Sequence, residues 1–363
     1  LREQVMVPRL VVGGLLLMGV AGAISSLANA PTAETGLHML LRSIGRPVFL
    51  IWMGTVVVGC APTERRRALV AIVLAILGTA EAVFGLLAFA LPLPGNLGLE
   101  LARKNSVLYG LVTGRIAGTL GLSPDFLGAV FLLTLPLTVA LALSPTEPHR
   151  RRVVWSAAAG LQLVALGLTF TRVSVVLAIC ELVGLGLIRN ARLAIGATVV
   201  LIAALSALTP LGTRFLSEGT DRLALWSSGL RIAADYPVTG VGPGRMLQVA
   251  AANPERYQGT AFGWAVSSAH NAVILAAAET GLLGGVGAIM VLLGLIRASG
   301  LAVARGLREG GDTVLVGAAG PAILAFTAQS MTNNLFTVAV TSTYAAFVFS
   351  AFLIPRASRS RPL

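Results

Sequence analysis

Two residue types in this chain of 363 residues could together manage a charged leaving group: a histidine and a small set of arginines, all set beside apolar runs. His270-Asn271 is followed by nine residues and Gly281, then by two residues and Gly284. A neutral imidazole, with an unperturbed pKa of about 6.5, can take the proton of an acceptor hydroxyl that is a poor nucleophile alone. Arginine presents a planar fork that grips phosphate oxygens in pairs and answers the charge that develops on a departing diphosphate. Arg172 and Arg222 are the two best placed for that task, with Arg115 as a further candidate. Transfer of a group carried on a lipid-linked phosphate would suit these parts and would need neither a metal nor another cofactor. The expected outer face offers no carboxylate cluster for Mg or Mn, and one His with scattered Arg makes no zinc site. Each residue also has a plainer reading. A histidine at a helix start can simply cap backbone, Arg172 can mark a turn and snorkel to headgroups, and Arg222 can lie on a solvated face.

The elements that would position these residues follow from composition. With 56% hydrophobic and 12% charged residues and a mean hydropathy of +0.85, the chain is far more apolar than soluble domains, where about a quarter of residues are charged. The sequence is that of an integral membrane protein. Its formal charge of +12 sits on arginines between apolar runs, which topology explains. No basic cluster is interleaved with aromatics as strand binding requires, so nucleic acid is not an expected partner. Cys60 and Cys180 lie in or at the end of apolar runs and indicate neither a disulfide framework nor a thiolate site.

Hydropathy gives about ten spans in a single membrane domain, 1–363: roughly Leu10 to Ala28, Leu40 to Cys60, Ala68 to Leu91, Phe126 to Leu143, Val153 to Phe170, Val173 to Ile188, Leu193 to Leu208, Ala272 to Ile296, Val314 to Met331 and Leu335 to Ile354. The fold class is an all-α transmembrane bundle. Val153 to Ile188 is too long for one crossing and must turn at Thr171-Arg172, which puts Arg172 at the tip of a helical hairpin. A cytoplasmic N-terminus would gather 16 of the 27 Lys and Arg in short loops on one side. His270, Arg172, Arg115 and the longest polar segment, 210–269 between the seventh and eighth spans, then share the outer face.

In that segment Leu223, Trp226, Leu230 and Ala233 recur at helical spacing, and Pro237 ends the pattern. This reads as an amphipathic helix on the membrane or the bundle. Gly240-Val241-Gly242-Pro243-Gly244 follows no strand, so it reads as a tight turn and not a nucleotide loop. Gly281 and Gly285 form a small-xxx-small pair that would let two helices approach. Glu279 falls about 180° around the helix from His270 and about 13 Å deeper, too far to act on the same atom. Glu81 and Glu181 read as buried packing residues, with transport as the lesser alternative, and His38 and His149 as structural or solvated.

These residues resemble the O-antigen ligase and O-antigen polymerase superfamily of bacterial envelope enzymes. The resemblance is carried by Arg115 with Gly118-Thr119-Leu120-Gly121, by Thr169 with Thr171-Arg172, and by Arg222 with Trp226, Asp235, Pro237 and the Gly240 to Gly244 run. Most specific is His270-Asn271 with Glu279, Gly281 and Gly284. The usual Asn-Pro-Asn after the Gly-Thr element is here Ser123-Pro124-Asp125, and ligases of this group usually have about twelve spans. The resemblance implies a metal-independent glycosyltransferase of the bacterial inner membrane with its site toward the periplasm. It implies that a glycan passes from undecaprenyl diphosphate to an acceptor hydroxyl, that of lipid A core in a ligase or of another lipid-linked repeat in a polymerase. His270 would match the catalytic histidine, and Arg172 and Arg222 the arginines that hold the diphosphate. A flippase of lipid-linked sugars is the rival class, expected to show internal repeats and a charged path through the midplane. Neither is visible.

Overall fold

The computed structural model describes residues 2–90, 115–119, 123–189, 219–257, 268–309, 314–337 and 339–354, and every regular element among them is a helix. The expected span Leu193 to Leu208 lies outside the described residues. In chain order the helices are α1 (Arg2–Asn29), α2 (Ala33–Cys60), α3 (Glu64–Ala90), α4 (Pro124–Ala142), α5 (His149–Leu168), α6 (Arg172–Arg189), α7 (Gly219–Asp235), α8 (Met246–Ala252), α9 (Pro254–Tyr257), α10 (Ala272–Glu309), α11 (Val314–Ser330) and α12 (Ala339–Val348), the last continued by a π turn over Phe349–Leu353.

By length and composition five described helices can cross a bilayer: Arg9–Asn29, Ala33–Cys60, Glu64–Ala90, Pro124–Ala142 and Ala272–Arg305. The chain is thus a multi-pass, all-helical membrane protein. The apolar helices Leu315–Ser330 and Ala339–Leu353 are shorter. The tenfold crossing expected from hydropathy is therefore not reproduced as ten full-length spans among the described residues.

Two boundaries move for physical reasons. α2 begins at Ala33, well before Leu40, because the Thr32 hydroxyl accepts the Thr35 N–H at 3.2 Å and Glu34 sits in the first turn. Glu34, His38, Arg42 and Arg46 then recur every fourth residue, a polar stripe that hides the helix from a hydropathy window. α10 runs to Glu309, beyond Ile296, and is broken at Thr280-Gly281, where Gly281 has φ 77°.

α4 is the centre of the bundle: Leu127, Phe131, Leu133, Leu135 and Leu137 have no exposed surface. α3, α5, α6 and α11 pack around it, and α1 lies along α10. The α1–α10 approach uses Gly14 and Gly287, where a Cβ on either would fall 2.6 or 2.8 Å from the other's carbonyl oxygen. The Gly281/Gly285 pair does not serve that purpose, since a Cβ on Gly285 would meet Ala277 of the same helix at 3.0 Å. α5 and α6 do turn at Thr169–Thr171, and both pack on α4.

The lobe that begins at α7 has a small core of its own. Ile232 of α7, Val241, Met246, Ala250 and Tyr257 close over Ala269, Leu275 and Ala278 at the start of α10. The apolar stripe read from sequence divides in the fold: Ala233 is buried, whereas Leu223 and Leu230 are 64% and 55% exposed, and the fully buried Ile232 lies beside Ala233.

Candidate functional site

The site is assembled where α10 starts. Asn271 is its N-cap: the side-chain Oδ1 accepts the backbone N–H of Val273 at 3.0 Å and of Ile274 at 3.1 Å. Its Nδ2 donates to the Met331 carbonyl at 2.9 Å, which ties the cap to the end of α11. His270, one residue earlier, is held at φ 47°, a left-handed conformation that costs a non-glycine residue about 1 kcal/mol or more. The surrounding contacts fix it there and aim the imidazole at Asn333, with Nδ1 and the Asn333 Oδ1 3.3 Å apart.

Burial holds His270 below its ordinary pKa. The Asn333 hydrogen bond works against that shift, the charge on Arg222 adds to it, and Asp125 opposes it. The imidazole is therefore in the proton-accepting form at neutral pH.

Arg222, in the first turn of α7, donates to the Thr332 carbonyl oxygen. Histidine and arginine are thus fastened to consecutive residues, Asn333 and Thr332. Trp226 lies one turn on, with its indole nitrogen buried and without an acceptor among the described residues.

The α5–α6 tip reaches the same place by a different route. Arg115 donates through Nε to the Thr169 carbonyl at 2.7 Å and through Nη2 to Asp125 at 2.9 Å and the Thr171 hydroxyl at 3.0 Å. The Thr171 hydroxyl also reaches Asp125 at 3.0 Å. Gln329 donates to the Asp125 carbonyl oxygen and accepts from Ser174, both at 3.0 Å. Arg172 is the first residue of α6, directly after this lashed turn. Arg115 is a strut for the tip in this arrangement. Thr119 of the Gly-Thr element donates its backbone N–H to Glu81 at 2.8 Å, which gives that buried carboxylate a structural partner.

One segment therefore joins all the parts: Gln329 to Asn334, the polar end of α11 and the turn after it. Gln329 holds the tip, Met331 holds Asn271, Thr332 holds Arg222, Asn333 faces His270, and Asn334 donates to Ser268. Sequence reasoning put Gln329 to Met331 at the end of a span and passed over Thr332 to Asn334 as the gap before the next. The available signal was a run of six, five of them polar, ending in two adjacent asparagines.

The glycine run finds its purpose here as well. The break at Thr280-Gly281 frees backbone groups of α10, and the Pro237–Gly244 turn supplies partners for them. Val241 N–H donates to the Ala278 carbonyl at 3.0 Å, Gly242 N–H to that of Glu279 at 3.0 Å, and Leu282 N–H to that of Pro237 at 2.8 Å. Gly240 has φ 61°, and a Cβ there would sit 2.5 Å from the Glu279 oxygen. Gly242 and Gly244 approach Met39 and Arg42 of α2 in the same way, while Gly284 leaves room for the Thr280 side chain.

Across the lobe, Asp235 accepts both Arg256 Nε, at 2.6 Å, and Nη2, and also the Tyr257 hydroxyl at 2.7 Å. The Arg256 hydrogen bond, then that of Tyr257, hold Asp235 below the usual carboxylate range, and burial with Asp235 nearby pushes Tyr257 up to about 12. Because Asp235 is lowered on folding, the clasp contributes above the ordinary carboxylate pKa and is lost as pH falls through the lowered one. Asp235→Asn should accordingly raise amide exchange over 246–257 at neutral pH and leave exchange in the lower half of α10 unchanged.

Among the described residues no group of three His, Cys, Asp or Glu gathers to hold a metal. What the site does offer is a half-buried neutral imidazole with the Arg222 guanidinium nearby, an arrangement able to accept one proton and stabilise an anion. Residues 157–289 match the family model described as O-antigen ligase. No curated protein matches the chain.

Proposed function

We propose that the chain is a ligase-like glycosyltransferase of the O-antigen ligase and polymerase superfamily drawing its glycan from undecaprenyl diphosphate, a reading supported by the O-antigen ligase match over residues 157–289. The observation that carries this reading is the common anchorage of His270 and Arg222 on Asn333 and Thr332. It sets a proton acceptor beside a guanidinium able to bind an anion.

In the proposed reaction the acceptor hydroxyl attacks the anomeric carbon of the lipid-linked sugar. The bond from that carbon to the diphosphate oxygen breaks and the electron pair leaves with the diphosphate. With Nδ1–H directed to the Asn333 oxygen, Nε2 of His270 carries the free lone pair and receives the hydroxyl proton. Arg222 and Arg172 take the charge on the leaving group, and Arg115 keeps the tip that carries Arg172 in position. No metal is needed in this scheme. The acceptor in a ligase would be lipid A core, and in a polymerase a second lipid-linked repeat. The site would face the periplasm from the inner membrane, consistent with the arginine distribution.

Two substitutions test the environment of the base. Removing the Arg222 charge with Arg222→Gln should raise the His270 pKa and move the acid limb of the rate profile to higher pH. Asn333→Ala removes a bond that favours the imidazolium, so the acid limb should move to lower pH while the rate falls. An acid limb that stays put in both variants would show that His270 is not the titrating base.

A further inference from the structure

A second basic cavity lies between α1, α2 and the upper half of α10, with a volume of about 110 Å³. Arg42 and Arg46, one turn apart on α2, both line it, as do Ser43, Pro243 and Glu279. Glu279 lies within electrostatic reach of both arginines and near the backbone N–H groups of Gly244 and Met246. Among the described residues neither guanidinium makes a hydrogen bond, and neither comes within 4.0 Å of a carboxylate oxygen. Two guanidiniums thus share one carboxylate in a cavity with mostly apolar walls. An excess positive charge in such surroundings favours a bound anion.

The cavity continues into an apolar groove of about 310 Å³ through shared walls at Leu15, Leu50, Val291 and Phe336. The groove runs on past Gly54 and Val58 of α2, with Phe349 opposite. From Arg42 to Val58 the helix rises about 24 Å, more than the ~15 Å half-thickness of a hydrocarbon core. A charged head over a long dry channel is the shape complement of a lipid, and free phosphate would leave the channel without a role.

We propose that the cavity and groove bind a phosphate-bearing membrane lipid, with the phosphate between Arg42 and Arg46 and one hydrocarbon chain along the groove. This site is separate from the Arg172 and Arg222 side, and it stands whether or not the transferase reading holds. Ala272 and Phe336, which line the cavity, lie two residues from His270 and three from Asn333. The lipid's head therefore comes to the site from the α1–α2 side.

Native mass spectrometry of the purified chain tests it with three probes: dioleoyl phosphatidate, dioleoylglycerol, which lacks the phosphate, and glycerol 3-phosphate, which lacks the chains. Phosphatidate should bind the wild type well above both other probes. Arg42→Gln and Arg46→Gln should each weaken it about tenfold, as expected for losing one charge-assisted bond, and the pair should weaken it further. Arg65→Gln/Arg66→Gln, in the first turn of α3 beyond the far end of α2, should bind as the wild type does. Equal binding of phosphatidate and dioleoylglycerol, equal binding of glycerol 3-phosphate, or undiminished phosphatidate binding by the double variant would each overturn the proposal.

Discussion

His270→Ala should reduce glycan transfer by about 10²- to 10⁴-fold, the usual worth of a positioned general base, while expression and thermal stability stay close to wild type. The side chain is half-buried, its one described hydrogen bond is the 3.3 Å contact with Asn333, and alanine leaves the Asn271 cap intact. The backbone argument sharpens the expectation. His270 sits at φ 47°, so alanine retains some strain there, and His270→Gly should relieve it. His270→Gly should therefore be at least as stable as His270→Ala and equally inactive. Activity assays and melting curves on the two variants separate chemistry from folding.

Gly281→Val should undock the lobe that begins at α7. Gly281 has φ 77°, and a Cβ would stand 2.3 Å from the Val238 carbonyl oxygen and 2.9 Å from that of Pro237. Valine therefore has to push the Pro237–Gly244 turn off the break in α10. Three backbone bonds go with it, from Val241, Gly242 and Leu282. At about 1 kcal/mol net per bond, and about 1–3 kcal/mol for a β-branched residue in that conformation, the loss comes to roughly 4–6 kcal/mol. That is enough to open the lobe even if the bundle stays folded. Hydrogen exchange should rise over 236–257, and transfer should be lost because α7 and Arg222 move with the lobe. Gly300 has no neighbour within 4 Å of an added Cβ, so Gly300→Ala in the same helix should leave both readouts unchanged. Wild-type exchange across 236–257 in Gly281→Val would contradict the docking role.

The class of the fold was plain in the sequence because hydropathy depends on nothing but the chain itself. Long apolar stretches such as Ala68 to Leu91 and Phe126 to Leu143 fall within two or a few residues of α3 and α4. The start of α2 was hidden for the opposite reason. Its first turns carry Glu34, His38, Arg42 and Arg46, and a hydropathy window cannot tell a polar stripe on a helix from a loop. The turn at Thr171-Arg172 was readable, since one uninterrupted helix would overshoot the bilayer.

What stayed out of reach was pairing across the chain. Gly240 and Gly281 each look like an isolated flexible residue, and only their reciprocal docking explains both. Arg115 reads from sequence as a further phosphate ligand, and only the fold shows its bonds to Asp125, Thr169 and Thr171. The Gln329 to Asn334 hub left a trace only as polarity at a place where polarity is ordinary, the junction between two spans.

The most direct test of the central claim uses the purified chain in nanodiscs with an undecaprenyl-diphosphate oligosaccharide, first alone and then with a lipid A core acceptor, with a chelator present. The account predicts free undecaprenyl diphosphate together with an elongated glycan product. A single product that requires the core acceptor identifies a ligase, and a ladder from donor alone identifies a polymerase. An intact donor in both reactions, joined by movement of that donor between leaflets, would contradict the transferase account and point to a flippase.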